Sequence, residues 1–512
     1  MSIGLKDRKP VSSLLLHRNS LPPWILAGLL VVFYVPWLFL NPINGDTGFF
    51  AYAGSLMLNG ARLYRDIVEP NAPPPYLFGA VSAALGRIVG LAPEPAFLLI
   101  FALIVVFIIC RTGGILHRLV PDPPYAAPLL TVVVTYCLLP YVSDMFGERE
   151  HVLTCMILPW LLASSSGTEV RSRRGQIVDG IMAGIGISMK PYFIAAYCAV
   201  QLMNLASRRR RAQVFRLDNI LIAAVVAAFA LGTIAFFPDY LFIVRMALAY
   251  HIFPQSLLQS CLNWTLFLLS AATVLSVSSD SQQPLANMRS LILAAGWSMA
   301  LVMMYQREGY GYHYYPIGVM AILVFATLFL DGVRTAGRDT QRYLAYTLTT
   351  AVVLLGIAQS IQTRDMPKMT GPLLPVVKRE ARGKPVLVLS TSLWASSPLI
   401  SYSGASFAWR FPLLWTLGGL YSQKPAADNP HPYRSRQEMD VYERYLVDSL
   451  NQDVDLHPPQ LIIVETANLK EGFRGGEFDY LDYFLRDPRF VQFFAQYEKL
   501  AVITRYTVYR RR

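Results

Sequence analysis

The chain has 512 residues, of which 54% are hydrophobic and 15% charged, and its mean hydropathy is +0.39. Soluble domains carry about 25% charged residues, so a chain this poor in charge, with long apolar runs through its first two-thirds, reads as a polytopic membrane protein. The net charge of +12 excludes no solvent-facing function by itself, but its placement argues against nucleic-acid binding: Lys and Arg fall in short clusters between apolar runs, the pattern that orients membrane spans. The five cysteines, Cys110, Cys137, Cys155, Cys198 and Cys261, lie in or beside apolar segments without CxxC or metal-type spacing and read as small core residues.

Residues 1–22 are basic (Lys6, Arg8, Lys9, Arg18) and belong on the cytoplasmic side. The first apolar run, 24–40, has no small-residue cleavage site behind it and reads as a retained span. It leads outward into Asn44-Gly45-Asp46, followed by Phe49, Phe50, Tyr52, Leu56 and Met57 at helical spacing, which suits a helix lying in the membrane interface. The stretch Glu69-Pro70-Asn71-Ala72-Pro73-Pro74-Pro75 forbids a regular helix. Residues 76–91 could span or lie along the surface. The interfacial choice keeps Arg111, His117 and Arg118 inside and obeys the charge rule.

Ten further spans then follow at about 95–110, 125–140, 152–163, 177–189, 192–205, 220–237, 264–277, 291–305, 316–330 and 343–361. Residues 239–263 read as a second interfacial segment. The basic clusters at 171–174, 208–211 and 334–342 all land on one side. The expected fold is therefore a polytopic α-helical membrane protein of about eleven spans, residues 1–361, with a C-terminal soluble α/β domain, residues 362–512. In that domain 385–390 and 460–465 read as buried strands, 500–509 as a terminal hairpin or strand, and 438–450 and 480–494 as helical. By parity it lies outside the membrane.

Ionisable residues gather on the outer side. Asp46 and Asp66 lie in the first loop, and Asp144, Glu148, Arg149, Glu150 and His151 in the second. Lys190 ends the fifth span, and Arg307, Glu308 and His313 follow the ninth. Singly, each could anchor the end of a span. Asp46 could be a helix cap, Asp66 a turn residue, Arg149 and His151 an internal salt-bridge set, and the tyrosines at 310–315, including Tyr312, an interfacial belt or a sugar platform. As a set, charges of both signs crowded on one surface mark function. They suit sugar transfer from a lipid-linked donor: a carboxylate takes the acceptor proton or steadies a cationic sugar-like transition state, and cations neutralise the departing phosphate.

Four features carry a resemblance: Asn44-Gly-Asp46 with its aromatic helix; Leu63-Tyr-Arg-Asp-Ile-Val-Glu-Pro-Asn-Ala-Pro-Pro-Pro-Tyr76; Phe146-Gly-Glu-Arg-Glu-His151; and the edge motifs Met189-Lys-Pro-Tyr192 and Tyr312-His-Tyr-Tyr-Pro316. On these, residues 24–360 resemble the glycosyltransferase-C superfamily, of the protein O-mannosyltransferase and lipid A aminoarabinose transferase type, and especially the rhizobial lipid A galacturonosyl transferase-like branch. The resemblance implies Asp46 as the principal catalytic carboxylate and Glu148 or Glu150 as a second acid, with Asp144 competing for that role. It implies Lys190, Arg307 and His313 as the donor-phosphate site, with Asp66, Asp144, Arg149, His151 and Tyr312 as substrate contacts. A divalent cation is a possible cofactor, but Thr47 follows Asp46 where some relatives have a second acid, which speaks against a paired-carboxylate metal site there.

The expected partners are a polyprenyl-phosphate sugar, a glycan or glycolipid acceptor and membrane lipid, and the expected location is the bacterial inner membrane with the site facing the periplasm. The competing classes are a transporter or flippase, which would place its ionisable site near the bilayer midplane, and a non-catalytic assembly subunit using the C-terminal domain to hold a partner.

Overall fold

The computed structural model of the chain describes residues 23–166, 172–208, 210–251, 255–278, 285–334, 338–361, 370–422, 433–473 and 477–512. The basic residues preceding the first helix, together with Arg171 and Arg209, lie outside them.

Every segment read as a span is helical. In chain order the elements are α1 (Pro23–Leu40), α2 (Gly45–Leu58), α3 (Pro74–Ile88), α4 (Pro93–Leu119), α5 (Ala126–Leu138), α6 (Arg149–Ala163), α7 (Arg173–Ser188), α8 (Ile194–Ala206), α9 (Leu217–Phe236), α10 (Tyr240–Ala249), α11 (Leu257–Cys261), α12 (Trp264–Val277), α13 (Leu285–Gln306), α14 (Gly311–Arg334) and α15 (Arg338–Ile361). Among the described residues, five are long and apolar enough on their own to cross a membrane: α4, α9, α13, α14, and α5 with the turn that extends it to Met145. The pair α1 and α2 meets the same test jointly, broken by a 70° bend. The shorter helices α8, α12 and part of α15 are apolar but below that length.

α6 is the axis of the bundle. All 15 of its residues are buried, including Arg149, Glu150 and His151 at its start. An all-apolar helix has no solvent stripe and sits where neighbours cover every side; here α4, α7, α13 and α14 cover it. Charged pairs join helices of the bundle: Arg111 with Asp179 (2.9 Å) ties α4 to α7, and Arg289 with Asp331 ties α13 to α14. Arg111 lies in the second half of α4 and Arg289 near the start of α13.

The first loop is helical where the spacing predicted, but it is more deeply packed than an interfacial helix. α2 lies against α3 through two glycines: a Cβ on Gly54 would stand 2.2 Å from the Ala80 nitrogen, and one on Gly79 2.1 Å from the Phe50 carbonyl. Only hydrogen at both positions lets the backbones meet. Phe49 and Phe50 are buried, each edge-on to Tyr76. Two of the cysteines read as core, Cys110 and Cys198, are exposed on the outside of the bundle, where neighbours in lipid are as apolar as a core.

The remaining elements are α16 (Leu373–Glu380), β1 (Pro385–Leu389), α17 (Leu399–Ser403), β2 (Ser406–Phe407), α18 (Trp415–Tyr421), α19 (Val441–Leu456), β3 (Leu461–Glu465), α20 (Tyr480–Phe484), α21 (Pro488–Phe494), β4 (Tyr497–Ile503) and β5 (Tyr506–Arg511). They build a five-stranded sheet of order β2-β1-β3-β5-β4. β1 runs parallel to β2 and β3, and β5 is antiparallel to β3 and β4, so the last segment is a hairpin. The helical stretch 480–494 is two helices because Asp487 caps a new start at Pro488, which cannot continue the helix before it. β2, two residues long, carries no periodic signal and is absent from the sequence reading.

This α/β part sits directly on the first loop. The Tyr402 hydroxyl accepts from the Ile43 N–H (2.9 Å), the Arg410 carbonyl accepts from the Val68 N–H (2.8 Å), and Phe407 packs edge-on against Phe49 and Tyr52. Asp440 accepts from the Tyr250 hydroxyl just beyond α10. Trp409 donates to Ser449 within the α/β part itself (3.1 Å).

Candidate active site

The site begins at the bend after α1. Asn44 caps α2, its side-chain oxygen accepting from the Asp46 N–H (2.9 Å). Asp46 is thus relieved of the capping role that an Asp at a helix start often fills, and its carboxylate points to other work. Its partner is Arg149, whose Nη2 stands 3.0 Å from Asp46 Oδ2. The Asp46 side chain is 23% exposed and that of Arg149 only 6%.

Arg149 is placed by the turn before α6. Gly147 adopts φ +87°, and a Cβ there would lie 2.8 Å from both Thr47 and Phe97. Glycine alone lets this turn press on α2 and α4 at that angle. Thr47 Oγ1 then reaches the Phe146 carbonyl (3.3 Å), joining the first loop to the second. One turn on, His151 Nδ1 accepts from the Gly147 N–H (3.1 Å), which leaves Nε2 to donate to the Leu138 carbonyl (3.0 Å). The His151 ring lies among Phe101, Phe146 and Tyr315. Its position braces the turn from behind.

The second Arg149 partner is Asn71 Oδ1. Asn71 is held in turn by Glu69, whose Oε2 accepts from the Asn71 N–H (3.0 Å), the Asn71 Nδ2 (2.6 Å) and the Tyr76 hydroxyl (2.5 Å). Burial pushes the Glu69 carboxyl above the usual range, with those hydrogen bonds opposing it. Glu69 and Asn71 were quoted in the sequence motif but given no role there. The signal was the Glu-Pro-Asn order ahead of the triple proline, which fixes an extended turn aimed at α6.

A second cluster lies beside the first. Lys190 sits at the break after α7, where Pro191 opens a short 3-10 turn, and its Nζ is 2.6 Å from Glu150 Oε1. His313 Nε2 stands 3.5 Å from the same oxygen, 3.5 Å from Lys190 Nζ and 3.6 Å from Glu308 Oε2. The Tyr312 ring joins the clusters, with Lys190 Nζ 5.2 Å and the Arg149 guanidinium 5.8 Å from its centre. Burial and Arg149 both work against the Lys190 charge, but Glu150 and its neighbours outweigh them and hold the ammonium above the usual lysine range.

Glu148 differs from Glu150. It is fully buried and, among the described residues, neither carboxylate oxygen has a hydrogen-bond partner; Arg149 is 3.9 Å away. Burial first, and the Asp46 charge second, push its carboxyl well above the usual range. Glu308 is likewise raised by burial.

The other expected residues lie apart from these contacts. Asp66 pairs with Arg62 on the surface (3.0 Å), and that contact holds it below the usual range. Asp144 is exposed in the turn Pro140–Met145. Arg307 is half-buried beside Glu308 with φ +52°, its carbonyl accepting from the Gln255 N–H (3.0 Å). Among the described residues, no three His, Cys, Asp or Glu side chains converge to hold a metal ion. Asp46 and Glu148 both face the Arg149 guanidinium, a donor set that does not fit a divalent cation.

No protein-family model and no curated protein sequence matches the chain. Solved structures do. The crystal structure of ArnT from Cupriavidus metallidurans in the apo state superposes with a TM-score of 0.58 at 12% identity, covering 95% of this chain and 97% of that one. The cryo-EM structure of the arabinofuranosyltransferase AftD from Mycobacteria matches with a TM-score of 0.46 at 12% identity, covering 96% of this chain and 40% of that one. Nearly end to end, bundle and α/β part together, the chain has the fold of ArnT, a lipid A aminoarabinose transferase and thus one of the proteins that the motif resemblance indicated.

Proposed function

We propose that the protein is a membrane glycosyltransferase that moves a sugar from a polyprenyl-phosphate carrier to a hydroxyl of a glycan or lipid acceptor. Residues 1–361 form its catalytic membrane part and 362–512 an α/β domain on the same side as the site, the outer face of the bacterial inner membrane. The observation that carries this reading is the joining of Asp46, through Arg149 and Tyr312, to the buried Lys190–Glu150–His313 cluster at one end of a bundle with the ArnT fold.

In the reaction the acceptor oxygen bonds to the anomeric carbon as the bond from that carbon to the phosphate oxygen breaks. The acceptor proton passes to Asp46 and polyprenyl monophosphate leaves. Arg149 orients the Asp46 carboxylate, and Asn71 and Glu69 fix Arg149. Lys190, with His313 beside it, stabilises the charge growing on the phosphate, and Arg307 lies on the same outer loop to meet the donor as it enters. Glu150 anchors Lys190. Glu148, its carboxyl pushed up by burial, stands 3.9 Å from Arg149 and completes the acidic set around it.

A transporter would need ionisable groups near the middle of its spans. In the five long helices the charged residues and histidines stand within the first two or last two turns, or, for Arg111, just over two turns from the end. The test is transfer by the purified chain in lipid nanodiscs, supplied with polyprenyl-phosphate hexose donors and a membrane glycolipid extract. Label appearing in glycan or glycolipid, with release of polyprenyl monophosphate, supports the reading. Movement of intact donor across the bilayer without cleavage refutes it.

A further inference from the structure

The two faces of the tyrosine pair at 310–312 meet opposite charge. Tyr310 and Tyr312 stack with ring centres 5.3 Å apart and planes within 14°. His313 lies edge-on against Tyr312 (4.5 Å) and against Tyr310 (6.1 Å). Arg149 and Lys190 flank Tyr312. Tyr310 is 41% exposed, and its surroundings are acidic. Its hydroxyl meets Glu471 of the α/β part at 3.5 Å, and it lies in the field of Glu471, Glu308 and Asp46.

Glu471 is exposed at its side chain but fixed at its backbone. Its carbonyl accepts from Thr391 Oγ1 (2.7 Å), and Thr391 is itself bonded to the Tyr480 hydroxyl (2.8 Å). This anchor follows the carboxyl end of β1, the edge at which open α/β sheets hold ligands. His313, whose ring touches both tyrosines, is 4% exposed, and its Nδ1 has no hydrogen-bond partner among the described residues, so this buried edge of the pair keeps an unused polar group.

Resting on the transferase reading above, we infer that the acceptor rests on the exposed Tyr310 ring beside Glu471, and that it presents an uncharged or amine-bearing sugar rather than a phosphorylated or carboxylated one. A sugar ring stacks its C–H face on an aromatic ring while a carboxylate accepts from its hydroxyls. An ammonium adds an ion pair and a cation–π contact. A phosphate at this end would face Glu471, Glu308 and Asp46 together and be repelled. The cations of the same site lie behind Tyr312, where a donor phosphate belongs. The α/β part thereby supplies one wall of the acceptor site.

The test uses the detergent-solubilised full chain and three probes: methyl glucosaminide, methyl glucoside and glucose 6-phosphate. Binding is read by saturation-transfer NMR, with polyprenyl monophosphate binding measured separately. The expected order is glucosaminide, then glucoside, with glucose 6-phosphate weakest. Glu471→Gln weakens glucosaminide by about tenfold, the scale of one charge-assisted hydrogen bond, and leaves polyprenyl monophosphate binding unchanged. Tyr310→Phe keeps the ring and the glucoside; Tyr310→Ala loses both sugars. Glucose 6-phosphate binding as tightly as the glucosaminide overturns the inference, as does glucosaminide binding indifferent to both Glu471→Gln and Tyr310→Ala. Loss of polyprenyl monophosphate binding in the wild type with the sugar order intact refutes the donor assignment and leaves the saccharide subsite standing.

Discussion

Removing the Lys190 charge separates stability from donor recognition in a way that a generic anchoring lysine cannot reproduce. Lys190 and Glu150 are 8% and 3% exposed at their side chains and stand 2.6 Å apart. In Lys190→Ala the Glu150 carboxylate, whose Oε2 already lacks a hydrogen-bond partner among the described residues, loses its nearest cation while still buried. Breaking a buried pair from one side costs about 3–5 kcal/mol because it strands a charge. Deleting both partners avoids that penalty, so Lys190→Ala with Glu150→Ala recovers most of the lost stability. Phosphate recognition does not recover, because the ammonium that meets the phosphate is still missing. Losing one charge-assisted contact of about 1.5–3 kcal/mol weakens polyprenyl monophosphate binding by about 10- to 150-fold in both the single and the double variant. The assay is thermal unfolding in detergent alongside polyprenyl monophosphate titration for the four members of the cycle. A double variant that binds the lipid phosphate as well as wild type would refute the assignment of Lys190.

Arg149→Lys keeps the charge but cannot reach Asp46 and Asn71 together through a planar fork; kcat falls about 10- to 100-fold while unfolding temperature changes little, as measured by transfer rate and thermal melt. Glu148 has a folded-state carboxyl raised above its unfolded value of 4.5 by burial. Its contribution to stability is therefore full below pH 4.5 and lost as pH rises toward the raised value. Glu148→Gln removes that loss, so the unfolding temperature of the variant declines less than that of wild type between acid and neutral pH; parallel curves would contradict the burial argument. Gly79→Ala drives a methyl to within 2.1 Å of the Phe50 carbonyl, and the forced separation of α2 and α3 costs about 1–3 kcal/mol, read as a lower melting temperature together with loss of activity.

The bundle was legible because apolarity acts residue by residue: all eleven apolar segments are helical. Burial was less legible. In a membrane chain lipid-facing and core-facing helices are equally apolar, so nothing in the composition of α6 announced a helix covered on all sides. The candidate site followed the same division. Asp46, Arg149, Glu150, Lys190, Tyr312 and His313 stood out as charged or aromatic residues at span ends, and the structure brings them into two touching clusters. Which acid meets which base was not readable, since Arg149 and Asp46 are 103 residues apart. Glu69 and Glu471 went unassigned for the same reason: their significance comes from Asn71 beside Arg149 and from Tyr310, contacts made only by the folded chain. Asp46 as a cap was a fair local reading, and Asn44 displaces it because the helix starts two residues earlier.

The most direct test of the account is Asp46→Asn, which replaces one oxygen by an amide without changing shape and leaves Asn44 to cap α2. The account predicts a variant that inserts, melts near the wild-type temperature and still binds polyprenyl monophosphate, with sugar transfer reduced at least about 1,000-fold, the scale of losing a catalytic base. Transfer within a few-fold of wild type would contradict it.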